Sequence, residues 1–508
     1  MNVRIAQRGG LNRFRPGVEA GHEHYKWWAL SCTSLGMLLA TINSGTLIIA
    51  LPDLERALGT SLLQLVWVIL AYMIASTVLV LTAGRLSDLF GRKRAYVGGF
   101  VLFSLASLGA GFSGDPTQLI LWRIVQGIGA ALIFANAAAL VTDAFPKEQL
   151  GLAMGTNTMV AAVGLVIGPV LGGALVAISW HWVFWFNVPL GIAGAIWGAL
   201  VLHELSSRDP VRGLDLLGTT TFLAGLTGLV YGISRGGLSG WSDPLVIWSL
   251  VAGAVLLPAF VLIERREQSP MLDLNIFRNR LFSAATAAAF INGLSRFALL
   301  FVFVFYFQGV MGDTPVMAGV KLTPMAFGML VSSPLAGIWA DRRGSRTLAA
   351  VGMLVSAVAL AGMTTLGQDS PYWQSTLWLG LVGIGSGMFN SPNTAAMMGT
   401  VPANRRGVAA GARTMLQNTG AVISIAFVLA IVTAAVPKDV LFAIFSGLAS
   451  GLSSAQLQPF IHNMHTALWV LAITSLVGAG VSLLRPTGRP ATESREPQAA
   501  AIGDRAPA

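Results

Sequence analysis

The chain has 508 residues, of which 54% are hydrophobic and only 11% charged, with a net charge of +10; soluble domains carry about 25% charged residues. That balance excludes a water-soluble globular protein and defines an integral membrane protein. A single cysteine, Cys32, excludes an intrachain disulfide, and the basic excess follows from loop topology, so it does not point to a nucleic-acid partner.

Residues 1–27 form a polar, basic tail. A spanning helix takes about 20 mostly apolar residues, and fourteen such runs follow, near 28–51, 63–83, 95–113, 118–142, 150–176, 181–202, 215–235, 245–263, 282–309, 317–340, 348–366, 373–396, 408–434 and 464–484. The first run is longer than the roughly 7 to 15 apolar residues of a signal peptide, so it reads as a retained helix. Residues 485–508, rich in Pro, Ala, Glu and Arg, hold too few apolar side chains to order themselves and read as a disordered tail. Fourteen spans put both termini on one side. Setting aside Arg123 and Arg296, 26 of the 32 lysines and arginines fall on that side; Arg56, Arg235, Lys321 and Lys438 fall on the other. The positive-inside rule makes both tails cytoplasmic, in an inner or plasma membrane.

An internal repeat sets the domain organisation. Gly84-Arg85-Leu86-Ser87-Asp88-Leu89-Phe90-Gly91-Arg92 follows the second span, and Gly337-Ile338-Trp339-Ala340-Asp341-Arg342-Arg343-Gly344 follows the tenth, with Gly, Asp and Gly matched at an offset of 253 residues. Pro146, Gly151, Ala153 and Gly155 match Pro402, Gly407, Ala409 and Gly411 at an offset of 256, as do Gly127 and Gly129 with Gly383 and Gly385. Repeats of this size mark many transporter folds. They predict an all-α polytopic protein with six-helix bundles at 28–203 and 281–484, joined through 204–280, which holds two inserted helices.

The Gly84–Arg94 segment resembles the loop signature of the major facilitator superfamily. In the fourth span Arg123, Gln126, Gly127 and Gly129 resemble that superfamily's fourth-helix motif. In the fifth, Gly155, Gly164, Gly168-Pro169 and Gly172-Gly173 are similar to the motif of its fourteen-helix drug:proton antiporter branch, and this is the most specific match. Trp182–Gly191, Leu214–Gly218 and Glu264 to Asn279 also look like that branch. The resemblance implies efflux of amphipathic compounds by alternating access. It implies a latch between the halves at Gly84, Asp88, Gly91 and Arg92, repeated at Gly337, Asp341 and Arg342. The partners it implies are small amphipathic substrates, protons and membrane lipids, with no enzyme activity, no cofactor and no metal, in a monomer.

Physically, the fifth-span glycines form a smooth stripe for close helix packing, and Pro169 removes a backbone hydrogen bond. Asn43 lies nine residues before Pro52 and Arg123 eight after Asp115, so both sit about 12 to 14 Å below the side opposite the termini and are expected to face each other across a cavity. Aligned on Ala50-Leu51-Pro52, the aspartate usual in the branch falls on Asn43. An amide does not exchange a proton at physiological pH, which leaves an uncoupled facilitator or lipid flippase as the alternative reading. Arg296, with Asn292 one turn earlier, lies 12 residues before Gln308 and 16 after Arg280, so it too is deep, and it either lines the cavity or pairs with a carbonyl. Intramembrane charges are by default functional-site candidates, and no carboxylate accompanies these two. Asp53 and Glu55 are the acidic groups closest to the Asn43 level from the far side. Asp143, Asp215 and Glu264 fall at cytoplasmic helix ends, where capping and loop anchoring are expected. Phe301–Phe307 offers aromatic surface to a substrate, to lipid or to packing neighbours.

Overall fold

A computed structural model describes residues 24–146, 149–204, 213–401, 406–434, 436–445 and 452–485; nearly all of the two predicted tails lies outside these. The helices are α1 Tyr25–Leu58, α2 Leu62–Phe90, α3 Arg92–Gly111, α4 Pro116–Ala144, α5 Leu150–Ile178, α6 Trp182–Trp185, α7 Asn187–Val201, α8 Leu216–Ser239 and α9 Pro244–Arg266. They continue as α10 Arg280–Phe305, α11 Pro315–Arg343, α12 Ser345–Met363, α13 Tyr372–Gly399, α14 Arg406–Val432, α15 Lys438–Phe445 and α16 Ser454–Leu483. Each of the fourteen apolar runs is helical, and among the described residues there is no strand.

Thirteen of these helices are long and apolar enough to cross a membrane, counting α6 and α7 as one crossing. The remaining predicted span is α13. Its 28 residues are long enough, but Gln374, Ser375, Ser386, Asn390 and Asn393 lower its hydropathy. Three features were not anticipated from sequence: the break at Phe186 between α6 and α7, the short α15, and the π-turn Tyr306–Val310 that extends α10.

Local sequence explains the boundaries. Ser61 with Gln64 and Ser453 with Gln456 form capping boxes that satisfy the free N–H groups at the starts of α2 and α16. Asp115-Pro116, Asp243-Pro244 and Thr314-Pro315 each place a side-chain cap before a proline at the first helical position. Gly91 and Gly344 end α2 and α11 with φ of 103° and 86°, a region that favours glycine. Each donates its N–H to the carbonyl four residues back, at 2.8 Å. The chain therefore reverses in one residue at matching points of the two repeats.

The repeat also holds in the packing. A Cβ on Gly129 would lie 3.0 Å from the Gly99 carbonyl oxygen, and one on Gly385 would lie 2.5 Å from that of Gly352. Thus α4 packs on α3 as α13 packs on α12, backbone against backbone. The inserted α8 and α9 pack on each other, and α8 also lies against α2 through Thr219 and Thr82, 2.9 Å between hydroxyls. The connecting segments are anchored as expected for acids at helix ends. Asp215 caps α8 at Gly218 N and accepts from Met271 N at 3.3 Å, while Glu264 accepts from Leu272 N at 3.1 Å.

Phe301–Phe307 is fully packed, facing neither lipid nor an open pocket. All seven side chains are buried, and Phe305 stacks on Phe445 of α15 at 4.1 Å between centroids. Arg485, placed in the disordered tail by sequence, is also buried and donates to Asn393. Burial lowers its guanidinium to about 10.

A polar network in each half and a glycine seam between them

In the N-terminal half, α4 carries Arg123 and Gln126 one turn apart. Arg123 is 1% exposed. Its Nε donates to the Val68 carbonyl of α2 at 2.9 Å, its Nη1 donates to Gln126 Oε1, and its guanidinium lies 4.2 Å from the Tyr72 ring centroid. Gln126 Nε2 donates to Ser107 of α3 at 2.7 Å and to Asn43 Oδ1 of α1 at 3.3 Å; Asn187 of α7 donates to the same Asn43 oxygen at 3.2 Å. Asn43 and Arg123 are thus joined through Gln126 inside one bundle, where the sequence placed them across a cavity. The buried cation is accommodated by a carbonyl, an amide and a π face, without a carboxylate. Replacing Gln126 with leucine strips Arg123 of an acceptor and Ser107 and Asn43 of a donor. That change is expected to cost about 1–3 kcal/mol, read as a lower unfolding midpoint in detergent.

The C-terminal half holds a second network. Gln417 of α14 donates to Asn292 of α10 at 3.4 Å and to Asn390 of α13 at 3.2 Å, and Arg413 donates to Asn390 at 3.2 Å. Arg296 is 9% exposed, lies 4.7 Å from the Phe297 ring, and has its Nε buried without a partner. No carbonyl holds it among the described residues. Arg413 was missed from sequence because it follows Arg405 and Arg406 and was counted with the loop cations. The available signal was its spacing: seven residues into α14 it is about 10 Å deep, and it is one turn from Gln417.

The glycine stripe of α5 serves two neighbours. Gly164, Gly168 and Gly172 face α1, where a Cβ on Gly168 would lie 3.1 Å from Gly45 Cα and one on Gly172 2.7 Å from the Thr46 carbonyl oxygen. Gly173 faces the other half: a Cβ there would meet the Pro315 carbonyl oxygen of α11 at 2.6 Å. Pro169 packs against Gly319 of α11, and Gly155 lies near the start of α5. Beside this seam, Gln308 donates to the Ile49 carbonyl of α1 at 3.1 Å, a further bond between the halves.

At the terminal side Arg92 pairs with Asp88 at 3.2 Å and with Asp143 of α4 at 2.8 Å, and its N–H donates to Glu204 at 2.8 Å. Gly84 is close to Ala135, and Gly337 to Ser391. These bonds tie the turn between α2 and α3 to the end of α4 and to the residues just after α7. Arg85 reaches the Ser269 and Pro270 carbonyls of the segment leading into α10. Asp341 and Arg342 fall in the last turn of α11, and their side chains lie outside the described residues. At the far end of α1, Glu55 is 1% exposed with both carboxyl oxygens unpartnered, while Asp53 pairs with Arg56.

Two repeated helical bundles with polar networks at mid-depth, meeting along a thin glycine seam, define a polytopic membrane transporter rather than an enzyme. The family model for the Major Facilitator Superfamily matches residues 33–425 and 285–503. The tetracenomycin C resistance and export protein of Streptomyces glaucescens is 31% identical over 395 residues, covering 78% of this chain and 73% of that one. The puromycin resistance protein of Streptomyces alboniger is 32% identical over 421 residues, covering 82% and 83%. The crystal structure of a bacterial homologue of the human lysosomal transporter Spinster superposes with a TM-score of 0.64 at 16% identity, covering 91% of this chain and 97% of that one. The chain belongs to the major facilitator superfamily, in its drug-efflux branch.

Proposed function

We propose that this protein exports small amphipathic compounds across the inner or plasma membrane, both termini cytoplasmic, as a monomer driven by protons through alternating access. The observation that carries this reading is the α5 stripe, with one face on α1 and Gly173 on α11 of the other half. Helices that meet through glycines separate and rejoin as rigid surfaces, with few side chains to repack. The resistance and export names of the relatives support an amphipathic cargo. For the proton, Asn43 is unsuitable and Glu55 is the candidate, because an unpartnered buried carboxylate is costly and a proton removes that cost.

The decisive comparison is export by cells with and without the protein, with and without an uncoupler; export that ignores the uncoupler sinks proton coupling. Asn43 favours the second reading, an uncoupled facilitator or lipid flippase. Transport in proteoliposomes that follows an imposed pH gradient eliminates it. Asn43→Asp would place a carboxylate one hydrogen-bonded residue from Arg123 and is expected to add a second titrating group, and so a changed pH profile, to transport. An unchanged pH profile in that variant overturns this account of the Asn43 site.

A further inference from the structure

Arg123 is satisfied by groups of its own half; Arg296 and Arg413 are not. Each has its Nε buried without a partner. The one acceptor among them is the Asn390 amide, taken by Arg413 and shared with Gln417. Arg296 lies one turn along α10 from Asn292, which accepts from Gln417, itself one turn along α14 from Arg413. The sequence supplies no compensation: α10, α12, α13, α14 and α16 contain no aspartate or glutamate, and α11 has only Asp341, at its terminal-side end. Two guanidinium groups inside a bundle whose helix interiors lack carboxylates form a site lacking its anion.

We propose that Arg296 and Arg413 bind the anionic group of an amphiphile, a carboxylate, sulfonate or phosphate. A guanidinium fork matches the paired oxygens of such groups, and charge-assisted bonds of this kind are strong away from water. Asn292, Asn390 and Gln417 carry further polar atoms near the two guanidinium groups, and Phe297, beside Arg296, supplies apolar surface. The inference deepens the export reading by naming the charge of the cargo, and it rests on that reading only in calling the bound molecule a substrate.

The test compares rhodamine B with its ethyl ester, which keeps the ring system and removes the carboxylate, by fluorescence anisotropy on the detergent-solubilised full chain. The natural protein is expected to bind rhodamine B about tenfold more tightly than the ester, the ratio for 1.4 kcal/mol. Arg296→Gln and Arg413→Gln are each expected to reduce that ratio towards one, and Arg296→Lys and Arg413→Lys to retain part of it. The lysine variants separate loss of charge from loss of fold. Equal binding of the two dyes, binding of neither, or a ratio that survives the double glutamine variant overturns the proposal. Competition by phosphatidylglycerol but not phosphatidylcholine assigns the anionic group to a lipid headgroup, and its absence assigns it to a soluble compound. A carboxylate preference without vectorial movement in proteoliposomes defeats the export reading and leaves the site standing. Export of both dyes without a preference defeats the site alone.

Discussion

Replacing Gly173 with leucine is expected to hold the two halves apart on the side opposite the termini and to stop transport while the bundles remain folded. A single Cβ at this position would already lie 2.6 Å from the Pro315 carbonyl oxygen and equally close to Val316 Cα. Both are backbone atoms of α11 and move only with the whole helix. Overpacking of this kind costs about 1–3 kcal/mol, and here the cost falls on the closed arrangement alone, because separation of α5 from α11 relieves it. A bias of that size shifts a two-state equilibrium by roughly 5- to 150-fold. Gly173→Ala should show a smaller shift of the same sign. Gly114→Ala, where nothing lies within 4 Å of the added carbon, should show none. Spin labels at Ser179 and Thr314, the caps of α5 and α11 at the seam, report the separation directly. An unchanged distance in the leucine variant, or transport at the natural rate, removes the seam from the mechanism.

The architecture was legible because its signals are regional. Apolar runs of spanning length, a one-sided distribution of basic residues and a repeat at offsets of 253 and 256 each average over many positions. The structure returns the apolar runs as helices, and the repeat as paired glycine turns at Gly91 and Gly344 and as matching contacts at Gly129 and Gly385. The polar sites were legible one helix at a time. Spacing along α4 gives the depth of Arg123, but that its acceptors are Gln126 and the Val68 carbonyl is a property of how α2 and α4 meet. Arg413 shows the same limit: beside Arg405 and Arg406 it reads as one more loop cation, and only the start of α14 places it inside. Gln417 carries no charge and matches no motif singled out in the sequence, and Asn187, inside the Trp182–Gly191 stretch, has nothing there that marks it as a partner of Asn43. Nothing short of the packed bundle draws them to Asn43 and Asn292.

Glu55→Gln is expected to leave exchange of substrate across proteoliposomes intact while abolishing accumulation driven by a pH gradient. For one proton per cycle, a gradient of one pH unit sustains about tenfold accumulation, and in the variant the ratio is expected to fall to about one. Glu55 lies twelve residues, about 18 Å, along α1 from Asn43, so the coupling site proposed here lies nearer the far surface than Asn43 does. Ser44, Ile48, Leu51 and Glu55 recur at the spacing of one helix face, and along it exposure falls from the open Ser44 to the buried Leu51 and Glu55. Under the alternating access proposed here, opening of the far side brings water to this carboxyl. Of the other ionisable groups at the far ends of the helices, Asp313 holds Lys321 at 2.6 Å, Asp115 caps α4, His181 stacks on Trp180, and Lys438 and Asp439 begin α15, which also packs against α1. Arg56, the charge that acts on Glu55, is bound by Asp53. Asp53→Asn should consequently keep gradient-driven accumulation, because Asp53 is already paired as an anion. If Glu55→Gln accumulates substrate as the natural protein does, the proton binds elsewhere. If the natural protein ignores the gradient as well, the uncoupled reading that Asn43 suggests is the correct one.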